Sequence, residues 1–143
     1  MIQQLTYKLF LILMFSTLAL GQSSHKWQQV YSDEDVKIYL DKSNVVLKTD
    51  DIAEVTFRWI WAKPRELKMT PGVSYKSRIE VTEIDCARRM YHTTINTKLF
   101  DDHGAEIKFD RVVPSPKWDK VDPESISGQI FDPACELVNK KRK

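Results

Sequence analysis

Covalent or acid–base chemistry needs nucleophiles, acids, bases or metal ligands placed together, and this chain offers few such placements. Glu83 and Asp85 lie two apart. On an extended strand they point to one face, where a carboxylate pair could do acid–base work. Arg78, Arg88 and Arg89 flank them, so ion pairing on a solvated sheet face is the plainer use. His92 has no acid partner visible in the sequence, and His103 stands in the polar turn Asp101-Asp102-His103-Gly104. Neither these two nor His25 shows ligand spacing with Cys86 or Cys135, so no metal site is expected. The chain has no G-x-S-x-G, no H-E-x-x-H, no Gly-rich phosphate loop and no C-x-x-C. No catalytic residue, cofactor site or metal site is assigned, and the chain reads as a non-enzyme.

The aromatic residues are better organised. Val55, Phe57, Trp59 and Trp61 alternate with Glu54, Thr56 and Arg58. On a strand the first four fall on one face. Such a stripe is core where a sheet buries that face, or a ligand platform where it does not. Phe57, Trp59 and Trp61 are therefore the candidate core-or-ligand residues.

The elements that position these residues are mostly strands. Trp27 to Tyr31 opens the series, and Val36, Ile38 and Leu40 alternate with Lys37, Tyr39 and Asp41. Residues 52–62, 75–86 and 88–100 continue the period of two. Residues 63–72 hold Pro64, Pro71 and Gly72 and read as a loop. The turn 101–104 leads to a further strand through Ala105, Ile107 and Phe109, which Pro114 and Pro116 end. Asp122-Pro123-Glu124-Ser125 opens a C-terminal helix, with Asp122 as its cap and Pro123 in its first turn. Pro133 begins a second turn carrying Cys135. Lys140 to Lys143 are basic; they suit a solvated helix end, or alternatively a contact with acidic surfaces. The expected fold is α+β: one antiparallel sheet of about six strands with a C-terminal helix packed on one face.

Composition narrows the class. With 42% hydrophobic and 29% charged residues, disorder is excluded. A net charge of +2, from 22 Lys+Arg against 20 Asp+Glu, lacks the basic excess of a nucleic-acid binder. Met1 to Gly21 have the form of a secretory signal peptide: Lys8, an apolar run from Leu9 to Leu20, then Ala19 and Gly21 two apart. Cleavage after Gly21 leaves residues 22–143 as a single domain. The run is shorter than the roughly 20 residues of a bilayer span, and no later stretch in the mature chain reaches that length. No cysteine lies near the cut. The expectation is an exported protein, periplasmic or secreted and not lipid-anchored. In that setting two cysteines, Cys86 and Cys135, favour a disulfide over a metal pair or a catalytic thiol.

The stretch Arg78–Arg88 (RIEVTEIDCAR), the turn Asp101–Gly104, Trp118, the Pro123-Glu124-Ser125 segment and a late second cysteine form an ordered set. Trp27 and Ile38-Tyr39-Leu40-Asp41, ahead of a serine, precede it. The set resembles the surface-adhesin protein E family of bacterial envelope proteins, from Trp27 to about Leu137. The resemblance implies an antiparallel sheet with a C-terminal helix held by Cys86 and Cys135. It also implies a protein-binding function, with host matrix or plasma proteins as partners, and a homodimer. It carries over no catalytic residue. The other reading is a periplasmic small-molecule-binding module, using the concave side between sheet and helix with Trp59 and Trp61 at its wall.

Overall fold

The structure is a computed structural model that describes residues 26–68, 70–109 and 117–143. The signal segment 1–21 and the strand end at Pro114 and Pro116 lie outside the described residues. Among the described residues the elements are β1 (Trp27–Ser32), β2 (Val36–Asp41), β3 (Val46–Leu47), β4 (Ile52–Glu66), β5 (Ser74–Asp85), β6 (Met90–Phe100), β7 (Glu106–Ile107), β8 (Asp119–Lys120) and one helix, α1 (Ile126–Arg142). All pairings are antiparallel, in the order β1-β2-β4-β5-β6-β7, with β3 added beside β4 and β8 beside β6. This is the expected α+β sheet with a C-terminal helix, built from five long strands and three two-residue ones.

Local chemistry sets the turns. Between β1 and β2 the Asp33 carboxylate accepts the amides of Val36 (2.7 Å) and Asp35 (2.8 Å) and the Tyr31 hydroxyl (2.8 Å). Those bonds, the Val36 amide first, hold its carboxyl below the usual carboxylate range. After β6 the Asp101 carboxylate accepts the His103 and Ala105 amides, and Gly104 takes φ +81°, a conformation that favours glycine. Between β5 and β6 Arg89 adopts φ 55°, while Asp85 accepts the Arg88 amide at 2.9 Å.

The core lies between the helix and one sheet face. Ile38, Leu40, Ala53, Val55 and Ile84 are buried from the sheet, and Ile130, Phe131, Ala134 and Val138 from α1. The helical set recurs at the spacing of one face. Cys135, beside that stripe, is joined to Cys86 at the end of β5, with Cα atoms 5.8 Å apart. Gly128 lets the helix start close on the turn before it: a Cβ there would sit 2.4 Å from the Asp122 carbonyl oxygen and 2.7 Å from Pro123 Cα.

Several boundaries differ from the sequence reading. Residues 63–66 are not loop: the ladder resumes at Arg65↔Tyr75 and Glu66↔Ser74. Pro64 falls in the irregular stretch between Ile60 and Arg65, where no ladder donor is required. After the 101–104 turn, the strand among the described residues is short: Ile107 pairs with Leu99 and Glu106 with Phe100. Asp122 does not cap the helix; its carboxylate accepts the Glu124 amide (3.0 Å), and its carbonyl accepts both the Ser125 amide and hydroxyl. Ser125 is the N-cap, accepting the Gly128 amide at 3.2 Å. Pro133 starts no new turn but lies inside α1, where it cannot donate back to Gln129. Buried Ile130 and Phe131 before it, and Ala134 and Val138 after it, belong to the same core.

Candidate functional site

The aromatic stripe faces the helix. Val55, Phe57 and Trp61 are buried, and Trp59 is half-buried. Register brings four β5 residues to the same face: Trp59 opposes Arg78, Phe57 opposes Glu80, Val55 opposes Thr82 and Ala53 opposes Ile84. An ionisable pair therefore stands on a face otherwise used for core. Glu80 is 5% exposed. Its Oε1 accepts the Trp59 indole N–H at 2.7 Å. Its Oε2 lies 3.1 Å from Arg78 Nε. That second contact is ionic only: Nε is buried and makes no hydrogen bond, so its N–H misses the carboxylate. Burial pushes the Glu80 carboxyl up, against the opposing pull of Arg78 and the indole.

The Arg78 guanidinium lies over Trp59 at 4.6 Å and Trp61 at 5.3 Å from the ring centroids. The two indoles are 6.0 Å apart and nearly parallel. Tyr75 meets Trp61 edge-on at 5.3 Å, and Arg65 covers it at the same distance. Beside this group a cavity of about 190 Å³ opens between β4–β6 and the first turns of α1. Arg78, Glu80 and Thr82 line it from the sheet, Ser127, Ile130 and Phe131 from the helix. One carboxylate beside one arginine can bind and orient a ligand. It supplies no nucleophile with an adjacent base.

The other sheet face carries a separate ionic group. Lys48 Nζ contacts Glu83 at 2.5 Å and Glu54 at 3.5 Å, and its pKa is raised, chiefly by the Glu83 bond. His92 Nδ1 is 3.8 Å from Glu83 and makes no hydrogen bond, while its ring stacks on Trp118 at 5.6 Å. The predicted arginine partners are thus only partly right. Asp85 pairs with Arg88 (3.5 Å), but Glu83 takes Lys48, Arg78 takes Glu80, and Arg89 takes Asp132 at 2.9 Å. Arg78 lies on the opposite face from Glu83, which strand parity dictates. His103 stands in its turn, 3.6 Å from Asp102. In the basic tail Lys141 donates to the Val45 carbonyl. Among the described residues no cluster of three or more His, Cys, Asp or Glu could hold a metal ion, and no helix is long and apolar enough to cross a membrane.

Sequence reasoning passed over Arg78 and Glu80 as site residues. The signal was there: both share the strand parity of Cys86, whose expected disulfide partner Cys135 lies on the C-terminal helix, so a charged pair was bound for the face that the helix covers.

An antiparallel sheet, backed by one C-terminal helix that a disulfide pins to the end of β5, defines a small α+β protein. The family model described as Surface-adhesin protein E matches residues 27–136, and the chain belongs to that family. Its fold is similar to that of Haemophilus influenzae protein E, with a TM-score of 0.58 and 12% sequence identity over 84% of this chain and 89% of that one. No curated protein matches the chain.

Proposed function

We propose that this is an exported, non-enzymatic envelope protein that acts by binding other proteins, and that the sheet face away from α1 is the surface used. Membership of the surface-adhesin family carries the reading. The fold supplies a suitable surface. Tyr39, Arg58, Ile60, Ile79 and Val81 share the face opposite the helix and are each partly exposed. A rigid sheet with a mixed apolar and cationic centre suits a protein partner. Host matrix or plasma proteins are the proposed partners, and a homodimer is the proposed assembly. Residues 1–21 act as the signal peptide and 22–143 as one mature domain, periplasmic or secreted without a lipid anchor. The disulfide supports export, since such bonds persist in oxidising compartments.

Surface plasmon resonance of the oxidised protein against purified matrix and plasma proteins tests the function. Saturable binding, lost in Ile79→Glu with the melting temperature retained, is the expected result. Absence of binding across the panel, or binding indifferent to Ile79→Glu, overturns it. Cell fractionation tests the compartment, and sedimentation the dimer.

A further inference from the structure

We propose that the cavity between the start of α1 and strands β4–β6 binds a ring-sized organic acid. The ligand's carboxylate sits on the Arg78 guanidinium, and its apolar body lies against Phe57, Ile84, Ile130 and Phe131. This site is on the helix side of the sheet, and it does not depend on the protein-binding reading above.

Size comes first. The cavity measures about 190 Å³. A dry apolar cavity of about 150 Å³ accepts benzene. The space here therefore holds one six-membered ring and one small polar group.

The lining sets the chemical class. Phe57, Ile84, Ile130 and Phe131 present carbon to the cavity. At its polar end Arg78 keeps a buried Nε with no hydrogen-bond partner. Arginine carries five N–H donors and no acceptor, in a flat fork that matches a carboxylate. The indoles of Trp59 and Trp61 cover the guanidinium plane, which leaves its edges to meet a ligand. Glu80, the other charged group lining the cavity, is already engaged. The Trp59 N–H occupies Oε1, and Oε2 rests 3.1 Å from Arg78 Nε. Its burial also disfavours the charged form, which lessens repulsion of an incoming anion. A neutral ring would leave the buried Nε as it is, without a hydrogen bond, and a cation would confront the guanidinium.

Isothermal titration of the oxidised protein with benzoate, benzyl alcohol and benzylammonium tests the site. Benzoate should bind saturably, with a dissociation constant of about 1 mM or tighter for a ligand of this size. Benzyl alcohol should bind at least about tenfold more weakly. Arg78→Gln should weaken benzoate by about tenfold or more while leaving benzyl alcohol unchanged. Arg78→Gln also removes the partner of Glu80, so Ile130→Trp serves as a second variant. It keeps Arg78, fills the cavity and should abolish benzoate binding. In the wild type the Trp59 indole N–H resonance should move during the titration. No saturable benzoate binding to the wild type overturns the proposal. So does undiminished binding to Ile130→Trp or Arg78→Gln, or a preference for benzylammonium.

Discussion

The Trp59 indole N–H donates to the Glu80 carboxylate diagonally across the β4–β5 ladder, at 2.7 Å. The two residues are not register partners, since Trp59 opposes Arg78 and Glu80 opposes Phe57. The long indole spans the diagonal. It brings a donor to a carboxylate that the core has otherwise stripped of water.

A pH dependence follows. Burial raises the folded-state pKa of Glu80 above its ordinary 4.5. The native state therefore holds that proton more tightly than the unfolded chain. The stability from Glu80 is fully present below the unfolded value and is lost as the pH rises through the folded one. Glu80→Gln removes this slope. The melting temperature of the wild type relative to Glu80→Gln should fall as the pH rises above 4.5. A difference that is flat, or that grows with pH, contradicts the assignment.

Trp59 has two separable roles. Trp59→Phe keeps an aromatic ring over the cavity and removes the donor, so the Glu80 carboxyl loses one of its pKa-lowering contacts. It should cost about 1–3 kcal/mol, for one buried acceptor left unmet. Trp59→Ala removes the ring as well. Trp59 is only half-buried, which places its cost at the lower end of the large-to-small range, about 3 kcal/mol. Urea denaturation of both variants reads the two increments.

Gly128→Ala tests the closeness of the helix start to the turn before it. Alanine gains helix propensity worth about 1 kcal/mol. Its Cβ would stand 2.4 Å from a backbone oxygen and 2.7 Å from Pro123 Cα, and backbone cannot rotate away. The net effect should be a loss of about 1–3 kcal/mol, as for overpacking. An unchanged midpoint would mean the turn shifts freely.

The disulfide should matter to the helix above all. Cys135→Ser opens a crosslink spanning 49 residues in sequence, worth about 2–4 kcal/mol. Helix α1 packs on the core through Ile130, Phe131, Ala134 and Val138, and the disulfide is its one covalent tie to the sheet among the described residues. Amide exchange in α1 should therefore accelerate more than exchange in β4 or β5. Equal acceleration everywhere would mean that the crosslink acts only on global stability.

Period-two alternation made the long strands readable, most clearly where Val36, Ile38 and Leu40 of β2 and Glu80, Thr82 and Ile84 of β5 are buried and the residues between them are more open. The cysteine pair announced the helix contact, since Cys135 lies on the helix and Cys86 directly follows β5. What escaped was tertiary in origin. Val46–Leu47 and Asp119–Lys120 are strands only because β4 and β6 offer free ladder positions beside them. Two residues carry no period. Lys63 to Glu66 looked like loop because Pro64 breaks the pattern, yet β5 is long enough to resume pairing beyond the irregularity. The helix start was misplaced by three residues because Asp122 and Ser125 are equally good caps. Only the tight seat of Gly128 against Asp122 decides between them. The cavity was the least legible feature. Its aromatic wall showed in the alternation of β4, but its charged end needs the β4–β5 register, which no local pattern specifies.

Cys86 and Cys135 also close a covalent ring. The ring contains β6, β7, β8 and the first half of α1. A protease that cuts at the exposed turn 101–104 would linearise the ring without dividing the molecule. Both pieces would stay tethered through sulfur and through the ladder that each retains. Such a chain can be nicked once and still travel as one body until a reductant separates it.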